Sequence, residues 1–359
     1  MKVGTLTFPN SPSHGASLQM YALWKVLSDL GCEAEVINYT ADIVNHRRIK
    51  SVPLSFKSKL KSIIFKATLK SSTSSFKNFE SLITKYPNEP ITCVSDIGSI
   101  ADRYDRIIVG SDQVWNPVVT GNDMNFYLKF LNDSSVKASY APSFGTDDVA
   151  AEDKAEISSL LSDFKYLCAR EEQGADIIKS LTGREVPIVL DPTFLVDCEH
   201  WKTIETKPKY KKDYVLFYNI KPSKSLLAFA QRLAHANNCI LVTIGGRFAD
   251  KFNPKKHPAF GVGPSEFLGL ISNAKYVVTN SFHGTALSLI YNKNFYIEYS
   301  TDTNSRLINL ANIFGFKDNI VNDNTDVHHP ITVDYDHINK VLDIEKEKSL
   351  EYLRSIIKG

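Results

Sequence analysis

Short apolar runs of strand length alternate along this chain with stretches whose apolar residues recur every three or four positions, a pattern that admits few folds other than parallel sheets covered by helices. In the first half the runs fall at 3–8, 34–39, 106–109, 137–140, 166–169 and 187–190. Helical periodicity lies between several of them. Residues 15–30 set Leu18, Tyr21, Ala22, Val26 and Leu27 on one face, and 153–161 and 171–181 show similar stripes. A polar stretch at 198–212, containing KTIETKPKYKK, interrupts the alternation. It then restarts with a strand at 214–219, a helix over 223–236, a strand at 240–244, a helix over 265–272 and a strand-to-helix passage at 274–292.

This is an α/β reading with two Rossmann-like domains, each built on a parallel sheet. The first is expected over 1–197, with a basic helical insertion at about 41–90, the linker over 198–212 and the second domain over 213–333. Residues 334–359 read as a charged amphipathic helix, expected to pack back on the first domain. A chain of 359 residues with 43% hydrophobic and 23% charged residues is long enough and apolar enough for two such cores. The opening MKVGTLTF is a strand pattern rather than a leader, and no apolar stretch approaches membrane-spanning length, so the expected location is the cytoplasm.

Other classes are disfavoured by what the chain lacks. Its 42 basic residues are nearly matched by 40 acidic ones, a net charge of +2 that gives no global signal for nucleic acid. Cys32, Cys93, Cys168, Cys198 and Cys239 are widely spaced and form no CxxC, and the nine histidines do not cluster with carboxylates at ligand spacing. Reduced thiols and no metal or cofactor are expected. One segment is strongly charged: residues 47–85 carry Arg47, Arg48, Lys50, Lys57, Lys59, Lys61, Lys66, Lys70, Lys77 and Lys85 against Glu80 alone. Phe56, Leu60, Ile63 and Ile64 fall at helical spacing among them. The segment suits either a solvated basic insertion or peripheral contact with an anionic membrane, here the inner face of the plasma membrane.

Polar loops at strand ends carry the candidate chemistry, because open parallel sheets bind ligands there. The richest is AKYVVTNSFHGTALSLIYN, residues 274–292, where an apolar strand meets a turn holding His283 and then an apolar helix. Asn280 and Ser281 can cap that helix, Gly284 permits close backbone approach, and Thr285 continues it; a helix N-terminus there suits a phosphate or carboxylate. The same residues also suit an ordinary turn with a hydrogen-bonded histidine. A second loop, GSDQVWN at 110–116, offers Asp112, Gln113 and Asn116 to sugar hydroxyls and Trp115 to a sugar's C–H face, unless it is a capped loop over a core tryptophan. His14 precedes the first long helix, and YAPSFG at 140–145 forms a third loop.

LTF followed by HGASLQMYAL, then VGSDQVWNP, YAPSFG, AREEQG, VLDPTFL and NAKYVVTNSFHGTALSLIYNKNF resembles, in that order, the polysaccharide pyruvyl transferase family over residues 2–316. The resemblance implies an architecture like that of the two-domain (GT-B type) glycosyltransferases. It implies transfer of pyruvate from phosphoenolpyruvate to two hydroxyls of one sugar, forming a cyclic ketal on a cell-surface polysaccharide or its lipid-linked precursor. The first domain then takes the saccharide or lipid-linked oligosaccharide acceptor and the second the donor.

On that reading His283 is the catalytic acid–base group and Asp112 accepts a proton from the attacking hydroxyl. Asn280, Ser281, Gly284 and Thr285 bind the donor, with Arg247 and Arg306 as candidates for its anionic groups, and His14, Gln113, Trp115 and Asn116 orient the acceptor. Arg170, in AREEQG, fits the family's RE motif or a structural place. Several family members carry an arginine two residues before the histidine, where this chain has Ser281. A nucleotide-sugar glycosyltransferase and an inactive carbohydrate-binding homologue are the alternatives; the first would want an acidic residue near the donor helix, yet 285–293 contains none.

Overall fold

A computed structural model of the protein describes residues 1–40, 73–83, 90–244, 257–299, 305–322 and 325–359. They divide into two compact units, one drawn from Met1–Ser55, Glu80–Val196 and Asp343–Gly359, the other from Phe56–Phe79 and Asp197–Leu342. Most of the basic segment 47–85, together with Arg247, lies outside the described residues.

The first unit is built on a parallel sheet of four strands, β1 (Lys2–Leu6), β2 (Glu33–Val36), β3 (Arg106–Val109) and β4 (Lys137–Ser139), in the order β2-β1-β3-β4. Its central strands read as continuous apolar runs because both faces are covered: Ile107, Ile108 and Val109 are fully buried. The helix His14–Asp29 is likewise buried from Gly15 through Trp24 without a break, so it is an interior element rather than the one-faced helix its spacing suggests. The runs at 166–169 and 187–190 do not become strands. They make single bridges, Ala138 to Tyr166 and Ala169 to Ile188. Beside β4 the ladder stops because the Cys168 N–H donates to Ser139 Oγ at 3.0 Å.

The second unit carries a parallel sheet of five strands, β5 (Tyr214–Tyr218), β6 (Ile240–Ile244), β7 (His257–Ala259), β8 (Tyr276–Thr279) and β9 (Asn294–Ile297), in the order β7-β6-β5-β8-β9. Around it run the helices Lys224–Ala236, Pro264–Ser272, Phe282–Ile290 and Ser305–Phe314. Residues 73–79 group with this unit, where Ser75 Oγ donates to Gly261 O at 3.3 Å.

The stretch read as a plain linker begins with a helix, Cys198–Ile204, anchored by the fully buried Trp201. The chain after it runs hard against the helix Pro264–Ser272. A Cβ on Gly269 would collide with the carbonyl oxygen of Thr206 and come within 2.7 Å of its carbonyl carbon. Backbone cannot rotate away as a flexible side chain can, so Gly269→Ala is expected to cost about 1–3 kcal/mol of stability, read as a lower urea midpoint at unchanged slope.

The helix Tyr335–Lys358 counts with the second unit through Leu342 and with the first from Asp343. Its second half is tied to the first sheet's edge. Ser349 Oγ accepts from Leu190 N at 3.0 Å, Tyr352 donates to Ser139 O at 3.2 Å, and Arg106 donates to Ile356 O at 3.3 Å. Leu353 and Ile356 are fully buried. Among the described residues no helix is long and apolar enough to cross a membrane.

Candidate functional site

In the second unit the chain passes from β5 to β6 and β7 on one side, then to β8 and β9 on the other. That reversal opens a crevice beyond the carboxyl ends of β5 and β8, the place where open parallel sheets take ligands. Residues 219–223 and the turn at 280–281 border it, each leading into a helix.

Asn280 ties the two loops together. Its Oδ1 accepts from Ile220 N at 2.9 Å and its Nδ2 donates to Lys221 O at 2.8 Å. Ser281 is the N-cap of the helix Phe282–Ile290, accepting from Gly284 N at 3.3 Å, while its own N–H donates to Thr279 Oγ1 at 3.0 Å. The Ser281 hydroxyl also reaches Tyr218: burial pushes the Tyr218 phenol up to about 12, and this hydrogen bond pulls it partway back. Thr285 is fully buried and donates to Ser281 O at 3.0 Å. Gly284 is required by packing, since a Cβ there would lie 2.7 Å from Thr279 Oγ1.

The residues expected to bind the donor all have a place in the turn itself. Asn280, Ser281 and Thr285 spend their side chains on the turn and the start of the helix, and the N–H groups of Gly284 and Thr285 are both taken by Ser281. His283 is the second residue of that helix, 7% exposed and edge-on to the Phe282 ring at 5.1 Å. Arg306 lies on the helix Ser305–Phe314.

The first sheet reverses in the same way between β1 and β3. Beyond β3, Asp112 takes a positive φ of 78°, uncommon for a non-glycine residue and the kind of strain that collects at functional sites. Its Oδ1 accepts from Gln113 N at 2.9 Å, and its carbonyl accepts from Ser143 N at 3.0 Å. Asn116 is the N-cap of the short helix Pro117–Thr120 and donates to Gln113 Oε1 at 2.7 Å. Gly145 lies directly under this amide pair at φ 61°, leaving no room for a Cβ.

Trp115 is not a sugar platform. It is 1% exposed, stacks on Tyr127 at 5.5 Å, touches Phe144 at 5.1 Å, and donates its indole N–H to Phe126 O at 2.9 Å. Burying an aromatic of this size outweighs what a solvent-facing ring would gain by waiting for ligand. Asn116 is 5% exposed, so it and Gln113 shape the loop. His14 is half-exposed at the first position of its helix, behind the Ser13 cap.

Beneath the loop lies a buried polar network that the loop-by-loop reading misses. Arg170, 2% exposed in its side chain, donates to Asp191 Oδ2 at 3.1 Å, Ser111 Oγ at 3.3 Å and Glu171 Oε2 at 3.4 Å. Ser111 donates to Asp191 Oδ2 at 2.7 Å and Ser143 to Glu171 Oε1 at 2.6 Å. Thr193 donates to Asp191 Oδ1 from both N–H (3.0 Å) and hydroxyl (2.7 Å). Gln19 joins through Thr7, which donates to Ser111 O at 3.1 Å. Burial works against the Arg170 charge, but Glu171, Asp191 and Asp112 outweigh it and hold its pKa above the usual guanidinium value.

The short motifs HGASLQ, GSDQVWN, YAPSFG, AREEQG and LDPTF thus meet in one place, at the carboxyl ends of the first sheet's strands. The signal that could have found this network is a charged residue directly after an apolar run, as in Ala169-Arg170 and Leu190-Asp191. The five cysteines are all free, and no group of three metal-ligating side chains occurs among the described residues.

In fold the chain is similar to a putative UDP-N-acetylglucosamine 2-epimerase from Listeria monocytogenes, with a TM-score of 0.52, 10% identity and coverage of 98% of this chain and 90% of that one. It is similar also to AviGT4, a glycosyltransferase of avilamycin A biosynthesis, at TM-score 0.51 and 13% identity over 100% and 99% of the two chains. The spinosyn rhamnosyltransferase SpnG aligns at TM-score 0.50 and 10% identity over 100% of both. These likenesses establish the fold as two parallel-sheet α/β domains of the GT-B type. No curated protein matches the sequence. The model of polysaccharide pyruvyl transferases matches residues 14–300, from the helix behind Ser13 through the strand after the His283 turn. With its motifs assembled at two sheet reversals and well over half its length matched, the chain belongs to the polysaccharide pyruvyl transferase family.

Proposed function

We propose that this protein transfers pyruvate from phosphoenolpyruvate to two hydroxyls of a single sugar in a cell-surface polysaccharide or its lipid-linked precursor. The family match carries the reading. In chemical terms one sugar oxygen adds to C2 of the enol while C3 takes up a proton; a second sugar oxygen then displaces phosphate from C2, closing the ketal. Such a reaction needs fixed donors for a phosphate and a carboxylate and an acid near the methylene carbon. The helix N-terminus at Phe282 and the imidazole of His283 support placing such a site in the second unit, which we assign to the donor. Asp112, held in its strained conformation over the Arg170 network, is assigned to the acceptor hydroxyl in the first.

The test is to incubate the purified protein with phosphoenolpyruvate and, separately, UDP-sugars, against acceptors ending in galactose, glucose or N-acetylmannosamine. Acceptor-dependent phosphate release with a pyruvate-sized mass gain on the sugar is the expected result. UDP release would favour a nucleotide-sugar glycosyltransferase, for which Glu298, accepting from Ser225 at 2.6 Å, is a candidate acidic residue. Saccharide binding without turnover of either donor would point to an inactive homologue.

We also propose peripheral contact of the basic segment with an anionic membrane. Replacing Lys57, Lys59, Lys61 and Lys66 with glutamate is expected to release the protein from phosphatidylserine-containing vesicles at low salt; unchanged co-sedimentation would reject the contact.

A further inference from the structure

The second unit holds a cavity that the transfer reaction does not use. Its volume is about 320 Å³, and it is lined by Gln231, Arg232, His235 and Ala236 of the helix Lys224–Ala236 and by Val327 and His328 of a loop. A space of this size takes one small molecule. We propose that it binds a phosphate group, free or as the monoester of a small metabolite, with Arg232 holding the phosphate oxygens and His235 and His328 adding N–H donors from the helix and the loop. The site stands independently of the pyruvyl-transfer reading.

Three observations carry the assignment. First, the side chains of Gln231, Arg232, His235 and His328 have no hydrogen-bond or ion-pair partner among the described residues. No carboxylate among those residues lines the cavity. Asp326, next to Val327 in the chain, is spent on its own turn, accepting from His328 N at 2.7 Å and bonded to His329 Nδ1 at 2.8 Å. Arg232 offers a planar fork of N–H groups that matches a phosphate, and an imidazole presents at least one N–H whether neutral or charged. Second, basic residues in the last turn of a helix commonly serve its terminal carbonyls. Here those carbonyls are already taken: Leu233 O accepts from Asn237 Nδ2 at 2.9 Å, Ala234 O from Cys239 N at 2.9 Å and His235 O from Asn238 N at 3.3 Å. Arg232 and His235 are not needed there. Third, the walls are fixed. Asn237 Nδ2 donates also to Val327 O at 3.0 Å, its Oδ1 accepts from Tyr276 of β8 at 3.2 Å, and Val327 packs against the unit's apolar core.

The cavity is separate from the crevice. The helix Lys224–Ala236 leaves the crevice loop at its Ser223 cap and, at about 1.5 Å per residue, carries His235 roughly 17 Å away along its axis. That end lies toward the amino ends of the strands, since β6 starts at Ile240, shortly after the helix stops. A phosphate held there leaves the crevice open.

The measurement is isothermal calorimetry of glycerol 3-phosphate, inorganic phosphate and glycerol with the full chain at low salt. The proteins are the wild type, Arg232→Met, Arg232→Gln, a double variant joining His235→Gln to His328→Gln, and Lys224→Met at the far end of the helix. Glycerol 3-phosphate is expected to bind and glycerol not. Losing a charge-assisted contact predicts binding weakened about tenfold or more in both Arg232 variants, a clear loss in the histidine pair, and no change in Lys224→Met. Melting temperatures should stay together, because the Arg232, His235 and His328 side chains are exposed. Tighter binding of the ester than of inorganic phosphate identifies a monoester as the ligand, and equal affinity identifies free phosphate; both uphold the site. Three results overturn it: a wild type that binds neither phosphate compound, wild-type affinity in a folded Arg232 variant or in the histidine pair, and weakening by Lys224→Met, which would place the anion at the crevice end.

Discussion

Replacing His283 with alanine is expected to lower pyruvyl transfer by about 10²- to 10⁴-fold, the usual worth of a positioned acid or base, while the protein remains folded. The expectation follows from placement. His283 occupies the second position of a helix that begins at a sheet reversal, in a turn whose other side chains are spent on capping and backbone bonds. It is the one described titratable side chain in that helix's first turn, and the ring is held edge-on to Phe282. Phosphate release under saturating phosphoenolpyruvate and acceptor checks it. Turnover within a few fold of wild type, in a variant with unchanged circular dichroism, would reduce His283 to a packing residue.

The second large effect is on stability. Asp191→Ala removes the carboxylate that receives Arg170, Ser111 and both donors of Thr193, and leaves the guanidinium inside a region where Arg170 is 2% exposed. Breaking a buried ion pair from one side costs about 3–5 kcal/mol, more than the pair contributes relative to an apolar replacement, because the remaining charge is left desolvated. Urea denaturation should show that loss, whereas Ser111→Ala, which deletes one hydroxyl from the same network, should cost about 1 kcal/mol. If Asp191→Ala unfolds at the wild-type midpoint, the network is not holding the loops at the first sheet's reversal.

The two effects differ in how far they could be read from the residues alone. Strand and helix alternation is visible because burying both faces of a parallel sheet leaves continuous apolar runs, as at Arg106–Val109 and Tyr276–Thr279. Shorter or less regular pieces escape that logic. The strand His257–Ala259 has three residues and a proline, and the helix Cys198–Ile204 has a single large apolar anchor instead of a stripe. Residues 166–169 look like a strand, but Ser139 Oγ captures the Cys168 N–H and ends the ladder, a side-chain event that no periodicity records.

Site residues divide along the same line. The caps at Asn116 and Ser281 follow from local chemistry, since a cap needs only the residues it caps. Trp115 misleads because the sequence of a loop does not say which side of it faces the core. The Arg170 network depends on contacts between residues 21 to 80 positions apart, from Asp191 to Arg170 and from Asp191 to Ser111, and only folding brings them together.

The helix shared between the units bears on how this protein is made. A ribosome releases the chain from its amino end, and domains generally fold in that order. Here the first unit cannot close when the chain has emerged as far as Val196, because the edge beside β4 is completed by Asp343–Gly359. The Ser139 carbonyl waits for Tyr352, the Leu190 amide for Ser349, and Arg106 for the Ile356 carbonyl. The second unit, finished at Leu342, is the first whose parts are all present. Nascent chains stalled short of Asp343 should therefore hold an amino-terminal half that proteases still cut, next to a carboxyl-terminal half that they do not.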